Sequence, residues 1–243
     1  MRKRSIFSLI VMGLAMLALA TLPPSASASV VGHLVVGTCG AGDVVVTATT
    51  IDWQPDVSGY VSCLLVAGGT NVTSVGDGTL LSTFSPSSGA TINDLTIPTT
   101  GGEIGFMSFV GVGGVNMHFN LTGIGPGSAT LCTSGMTDGQ SCSAFAGSPF
   151  LLTVNNGGTS VSLSAHGTIA DTVGPLSNWS GSFTTQINTV LPYAIQTTIN
   201  GGGSIQSSFS GEFDASGTPE PVSLALIGGG LLALAAIKRR KRA

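Results

Sequence analysis

Between residues 5 and 237 the chain contains no lysine or arginine. Without cationic side chains this long stretch cannot neutralise phosphate groups, which excludes nucleic acid as a partner. Phosphorylated substrates and acidic polysaccharides are disfavoured for the same reason, unless a metal ion bridges. Neutral glycans, basic surfaces and divalent cations remain open. The basic residues all lie at the two ends of the chain: Arg2, Lys3, Arg4, Lys238, Arg239, Arg240, Lys241 and Arg242.

Enzymatic motifs are also lacking. His33, His118 and His166 are isolated in the sequence, and no G-x-S-x-G or H-E-x-x-H pattern accompanies them. A glycoside hydrolase needs two positioned carboxylates, and nothing in the sequence links Glu103 to Glu212. We therefore expect a protein that is not an enzyme and that has no cofactor. A secreted hydrolase is the least favoured alternative, and a cleft joining Glu103 or Glu212 to another acid would support it.

Calcium motifs are absent too, since the chain has neither an EF-hand loop nor a repeated aspartate pattern. The densest polar cluster surrounds Trp53, and Asp52, Trp53 and Asp56 are candidate contacts for calcium or a sugar. The alternative is an ordinary turn in which Trp53 covers the edge of a sheet. An exposed Trp53 and Tyr60 on one face would favour a glycan-binding module. We predict no metal site elsewhere.

The N-terminus has the three parts of a secretory signal peptide. A positively charged start is followed by the apolar run 6–20, which is short for a membrane span, and then by the helix-breaking pair Pro23 and Pro24. Ala26 and Ala28 form an A-x-A cleavage signature. We predict that residues 1–28 are removed by signal peptidase and that the mature chain begins at Ser29.

The C-terminal segment, residues 218–243, combines a proline-rich box, an apolar run and a basic end. Pro219, Glu220 and Pro221 precede an apolar stretch that would rise roughly 24 Å as a helix, marginal for a bilayer core of about 30 Å. Basic residues stay on the cytoplasmic side, so Lys238 to Arg242 would act as a stop-transfer signal. The tail is predicted inside and the main domain outside.

This tail resembles the PEP-CTERM sorting signal of Gram-negative bacteria. The resemblance covers about 25 residues and rests on the Pro-Glu-Pro box, the glycine-interrupted apolar helix and the basic end. It implies that Pro219, Glu220 and Pro221 are recognised at the inner membrane by an exosortase, which cuts near the box. Members of the family are associated with exopolysaccharide and biofilm matrix. The resemblance assigns no activity to the domain in front of the tail.

Residues 29–217 form the predicted exported domain. Gly, Ser, Thr, Val and Ala dominate its composition. Glycine-rich segments separate short runs in which apolar and polar residues alternate, and this pattern is typical of strands and unfavourable to helices. We predict an all-β domain, either an antiparallel β-sandwich or a jelly roll. The predicted strands are 30–36, 43–51, 60–66, 78–84, 91–97, 104–110, 115–121, 160–169, 179–187, 193–199 and 204–213.

Two of the predicted strands show the clearest alternation, and each is expected to have one buried face and one polar face. In strand 115–121 the apolar residues are Val115, Met117, Phe119 and Leu121, and the polar ones are Asn116, His118 and Asn120. In strand 160–169 the apolar residues are Val161, Leu163 and Ala165, and the polar ones are Ser162, Ser164 and His166.

Four cysteines lie in the predicted exported domain, where disulfides persist. Three pairings are open, and we favour Cys39 with Cys63 and Cys132 with Cys142, because the members of each pair are close in sequence.

Ten of the eleven acidic residues also lie in residues 29–217, where they have no lysine or arginine to pair with. The net negative charge keeps an exported protein soluble. The sequence thus predicts an exported structural or adhesive protein of the cell surface, outer membrane or exopolysaccharide matrix. A neutral-glycan-binding module is the alternative. Expected partners are signal peptidase, exosortase, the membrane before processing, and exopolysaccharide or other neutral glycans.

Overall fold

The computed structural model describes residues 30–38, 43–53, 64–66, 73–74, 90–98, 102–110, 116–170 and 177–217. All of them belong to one compact unit, Ala28–Thr218. The predicted signal peptide and sorting tail lie outside the described residues, as do Cys39, Asp56, Tyr60 and Cys63.

The described residues form mostly antiparallel β-structure, which confirms the predicted all-β class. One α-helix, α1, spans Pro192–Asn200. The strands in chain order are β1 (Val30–Thr38), β2 (Val44–Val46), β3 (Thr50–Trp53), β4 (Leu64–Val66), β5 (Thr73–Ser74), β6 (Thr91–Ile92), β7 (Leu95–Thr96), β8 (Glu103–Val110), β9 (Asn116–Ile124), β10 (Ser141–Cys142), β11 (Phe150–Asn155), β12 (Gly158–Ala170), β13 (Ser177–Ile187), β14 (Ile205–Ser207) and β15 (Ser210–Ser216).

The strands form a large barrel-like sheet and a second, smaller sheet. In the large sheet the order is β4-β1-β15-β13-β12-β9-β8-β6, and β5 also pairs with β1. The long strand β12 has two partners on one edge, because β11 pairs with its first half and β9 with its second. The small sheet has the order β14-β2-β3-β7.

Alternating side chains give the strands β9, β12, β13 and β15 of the large sheet one buried and one solvent-facing side. In β9, Met117 and Phe119 are fully buried and His118 is only half-buried. In β12, Leu163 and Ala165 are buried, whereas the serine between them is exposed. A period of two is what an extended chain produces when one face packs on a core. The alternations predicted from the sequence are therefore confirmed.

Both sheets contribute to one hydrophobic core. Trp53 of β3 in the small sheet contacts Phe183 of β13 in the large sheet, with ring centroids 4.5 Å apart. Phe209, in the connection from β14 to β15, packs against both rings at 4.9 and 5.8 Å. Rings at these separations and tilted angles interact favourably beyond their burial of apolar surface. The aromatic residues, few as they are, hold the two sheets together.

Glycine lies opposite aromatic residues on the buried face of the large sheet. Gly167 of β12 pairs with Trp179 of β13, and Gly181 of β13 pairs with Phe213 of β15. A Cβ atom at residue 181 would lie 2.6 Å from Cδ1 of Phe213, and one at residue 167 would lie 2.8 Å from Nε1 of Trp179. Only glycine leaves room for the ring on the neighbouring strand.

Most predicted strands are present with shifted bounds, and several are divided. Predicted strand 43–51 is two strands, β2 and β3, because Thr47 turns the chain between them. Its hydroxyl accepts hydrogen bonds from the backbone N–H groups of Thr49 and Thr50, at 3.1 and 3.0 Å. Predicted strands 91–97 and 204–213 are likewise each two strands. The strands β10 and β11 were not predicted, and strand 78–84 lies outside the described residues.

The prediction of a strand at 193–199 is wrong, because these residues belong to α1. Pro192 lies in the first turn, where its missing N–H and fixed φ favour a helix start. Ile195 and Ile199, four residues apart, are both buried on one face. The hydroxyls of Thr197 and Thr198 donate to carbonyl oxygens four residues earlier. Packing of the two isoleucines against the rest of the domain offsets the modest helix propensity of threonine and isoleucine.

We expect Gly181→Ala to lower the free energy of unfolding by about 2 kcal/mol or more, because the new methyl group collides with Phe213 and the adjacent backbone. Chemical denaturation of the protein measures the change.

Gly37→Ala is the matched control in the same sheet, since its Cβ would meet its nearest neighbour at an ordinary 3.6 Å. If Gly181→Ala were as stable as Gly37→Ala, the glycine–aromatic pairs would have no role in holding the sheet together.

Candidate functional site: the polar face of the large sheet

The wet side of β1, β9, β12, β13 and β15 forms a continuous surface, which we call the polar face. Its side chains point away from the core because they alternate with buried residues along every one of these strands. Hydroxyl groups are its commonest feature. Its residues on the four strands from β9 to β15 are His118, Asn120, Thr122, Ser162, Ser164, His166, Thr168, Asn178, Ser180, Ser182, Thr184, Gln186, Ser210, Glu212, Asp214 and Ser216.

One row of the polar face crosses four strands. His166 of β12 pairs with Ser180 of β13, Ser180 with Asp214 of β15, and Asp214 with His33 of β1. Nδ1 of His33 lies 2.9 Å from Oδ1 of Asp214. The Asp214 side chain is 80% exposed, so this contact fixes side-chain geometry more than it stabilises the fold. The row contains two imidazoles, a hydroxyl and a carboxylate.

The neighbouring rows carry mainly hydroxyl groups. Ser164, Ser182 and Glu212 follow one another across three strands, and Thr184 lies opposite Ser210 with its Oγ1 3.2 Å from the serine Oγ. Strands are about 4.8 Å apart and alternate residues about 6.7 Å apart along a strand, so the groups form a regular grid. Hydroxyls both donate and accept hydrogen bonds. Such a grid suits a neutral, hydroxylated partner.

The polar face does not bring the histidines together. His118 pairs with Ala170 and His166 with Gly123, which places the two imidazoles four positions apart on β12, about 13 Å. Nδ1 of His118 is instead 2.9 Å from Oγ of Ser108. Among the described residues no three His, Cys, Asp or Glu side chains cluster as metal ligands would.

The two glutamates are also separate. Glu103 is on β8 and Glu212 on β15, with three strands between them, about 19 Å measured along the sheet. Asp214 lies two residues from Glu212 on the same face, but both carboxylates are exposed on an open sheet. A general acid for glycoside hydrolysis needs a sheltered position that raises its pKa. Among the described residues, Glu103 and Glu212 are therefore not brought together in one site.

Trp53 is buried and does not offer a sugar-binding platform. The residue is 2% exposed and its ring packs among phenylalanine rings, while its backbone N–H donates to Oδ1 of Asp94 at 2.8 Å. Asp52 is half-buried and pairs with Val45 of β2. The prediction that Trp53 contacts a ligand at the surface is therefore wrong, because the alternation of β3 points this side chain into the core. The third member of the cluster, Asp56, lies outside the described residues.

Cys132 and Cys142 form a disulfide, as predicted, with their Cα atoms 4.9 Å apart. Both residues are buried, and they pack with Ile195 and Ile199 of α1 in a second hydrophobic cluster. The disulfide therefore closes the loop that leads into β10 and anchors it beside the helix. The predicted partner pair, Cys39 and Cys63, lies outside the described residues.

Part of the polar face is predictable from the sequence. Alternation in β9 and β12 assigned His118 and His166 to a polar face, and this assignment is confirmed. The contact between His33 and Asp214 was missed because it joins residues 181 positions apart and no local pattern encodes it.

In the part of the chain that the structure describes, no helix has the length and apolar character needed to cross a membrane. Comparisons of the chain with protein-family models, curated proteins and solved structures found no match.

Replacing both Cys132 and Cys142 by alanine should lower the free energy of unfolding by about 3 kcal/mol, because the unfolded chain regains the entropy of a loop of this length. Denaturation curves of the protein before and after the double substitution measure the difference. An unchanged midpoint with an unchanged slope would show that the disulfide contributes nothing to the stability of the fold.

Proposed function

We propose that the protein is an exported structural or adhesive component of the cell surface or exopolysaccharide matrix. The main observation behind this proposal is that every lysine and arginine lies at one of the two ends of the chain, and that each basic cluster adjoins an apolar run. The disulfide between Cys132 and Cys142 supports an oxidising compartment. The all-β fold and its wide polar surface support a binding or structural role.

We further propose that the C-terminal segment is a PEP-CTERM sorting signal. An exosortase would recognise Pro219, Glu220 and Pro221 at the inner membrane, where residues 224–237 span the bilayer and Lys238 to Arg242 stay in the cytoplasm. Two prolines keep the segment extended, which a processing enzyme requires of its substrate. Processing would then deliver the domain to the outer membrane, the surface or the matrix.

We infer that the two sheets are the layers of a β-sandwich. The support is the aromatic contact between Trp53 and Phe183, one from each sheet, within a single hydrophobic cluster. In this arrangement the polar face is the outer surface of one layer.

The polar face is the surface we assign to adhesion. It offers hydroxyls, amides and carboxylates but no lysine or arginine, so it would bind a neutral polysaccharide through hydrogen bonds and repel an acidic one. The second candidate, a dedicated glycan-binding module, is favoured by the same grid of hydroxyls. The broad adhesive role fits better, because the one tryptophan proposed as a sugar platform is buried.

Intact masses of the protein from membrane and extracellular fractions test the sorting proposal. We expect the mature species to begin at Ser29, to end near Pro219 to Pro221, and to gain the mass of four hydrogens on reduction. A membrane-bound species that retains Lys238 to Ala243 would contradict processing and leave a tail-anchored surface protein.

Exchanging Ser164, Ser180 and Ser182 together for glutamine should reduce co-sedimentation with a neutral glucan at least about tenfold, because longer side chains disrupt the grid without changing the charge. Binding of the unaltered protein should depend little on salt, since no ion pairs are involved.

The matched control exchanges Thr133, Ser134 and Thr137 for glutamine, three exposed residues in the loop between Cys132 and β10. Equal binding by both triple variants would exclude the polar face as the adhesive surface, and preferred binding to an acidic polymer would contradict the charge argument.

A further inference from the structure

The hairpin between β11 and β12 turns on an asparagine followed by a glycine. Asn155 pairs with Gly158, so only Asn156 and Gly157 lie in the loop, and both have a positive φ, 48° and 76°. A two-residue loop of this kind is a type I′ turn. Asparagine and glycine form it more readily than other residues, because they tolerate the left-handed region.

The Asn-Gly sequence also makes the asparagine chemically labile. The backbone nitrogen of the glycine can attack Cγ of the asparagine side chain, and it is accessible because glycine has no Cβ. The nitrogen loses its proton, a C–N bond forms, and the side-chain amide leaves as ammonia, which gives a five-membered succinimide. Water then opens this ring at one of its two carbonyl carbons and leaves aspartate or isoaspartate in the chain.

Both reacting groups are unengaged at the turn. Neither the side-chain amide of Asn156 nor the N–H group of Gly157 has a hydrogen-bond partner among the described residues. Both residues are exposed, and a Cβ added at residue 157 would meet nothing within 4 Å beyond its chain neighbours. Water and a base can therefore reach the glycine nitrogen without displacing any contact.

A second Asn-Gly sequence, Asn200-Gly201, has a different environment. Gly201 follows the last residue of α1, and its N–H donates to the backbone oxygen of Thr197 at 3.0 Å. Nδ2 of Asn200 donates to the backbone oxygen of Ala144 at 3.5 Å. The attacking nitrogen and the leaving amide are thus both engaged, so the end of the helix must open before the ring can form.

We propose that Asn156 is a site of spontaneous covalent modification, at which the folded protein converts asparagine to aspartate and isoaspartate, whereas α1 protects Asn200 from the same reaction. The reaction needs water and no enzyme. Isoaspartate carries the main chain through its side-chain carbon and adds one methylene to the loop, so the two-residue turn no longer closes in register. The proposal does not depend on the adhesive function.

Peptide mapping after incubation of the folded protein at mildly alkaline pH tests the proposal. Trypsin cannot separate the two sites, because residues 5–237 contain no lysine or arginine, so the digestion uses pepsin at acidic pH, where ring formation is slow. Mass spectrometry measures the exchange of NH₂ for OH at each asparagine. We expect Asn156 to react at least about tenfold faster than Asn200, because two hydrogen bonds hold the second site.

The same measurement in denaturant is the control. Glycine follows both asparagines, so the two rates should agree within about a factor of three once the fold is lost. Equal rates at the two sites in the folded protein, or a slower reaction at Asn156 than at Asn200, would overturn the proposal. An Asn156 that stays intact in the folded protein while it reacts in denaturant would overturn it as well.

The variant Asn156→Asp separates the effect of the added charge from that of the longer backbone. Aspartate tolerates the left-handed region as asparagine does, so the variant should unfold at nearly the same denaturant concentration as the unaltered protein. The isoaspartate form, isolated by chromatography, should unfold at a lower concentration. Equal midpoints for these two forms would contradict the predicted disruption of the turn.

Discussion

The fold depends on the packing of a few aromatic rings over glycines. The rings of Phe119, Trp179, Phe213, Phe183 and Trp53 contact one another in sequence, with centroids 4.5 to 5.8 Å apart, from the large sheet into the small one. Each ring of β13 and β15 in this series lies opposite a glycine on a neighbouring strand. Adding a Cβ to any of these glycines would close the space that a ring occupies. Glycines on the buried face thus leave space for the few large side chains that form the core.

The sequence predicted the class of the fold and several faces of its strands, because alternation along a strand is a local property. The positions of Leu163, Ala165 and His166 followed directly from it. Helix α1 was missed because its β-branched residues resemble a strand; the informative signals were Pro192 at the start and the four-residue spacing of Ile195 and Ile199. The disulfide of Cys132 with Cys142 was predictable from sequence proximity.

The candidate sites were less accessible to sequence reasoning. The polar cluster around Trp53 indicated a surface contact, yet the indole lies in the core because Ile51 and Trp53 of β3 both face inward. A small apolar cavity between the two sheets and α1 is lined by residues from position 44 to position 209, and it exists only because of how these elements pack. No periodicity encodes such a space. The row from His166 to His33 likewise exists only because β1 and β15 pair.

That pairing also constrains the order in which the domain can form. Strand β15, the last of the described strands, lies between β1 and β13, so it fills a place inside the large sheet and not at its edge. A chain that emerges with its N-terminus first must hold β1 unpaired on that side until residues 210–216 arrive. Long-range pairing of this kind is slow and leaves apolar strands exposed in the meantime. The large sheet can consequently close only after nearly all of the residues from β1 to β15 are available. A chain that still lacks β15 would expose the unpaired edge of β1 and would be the form most sensitive to proteases.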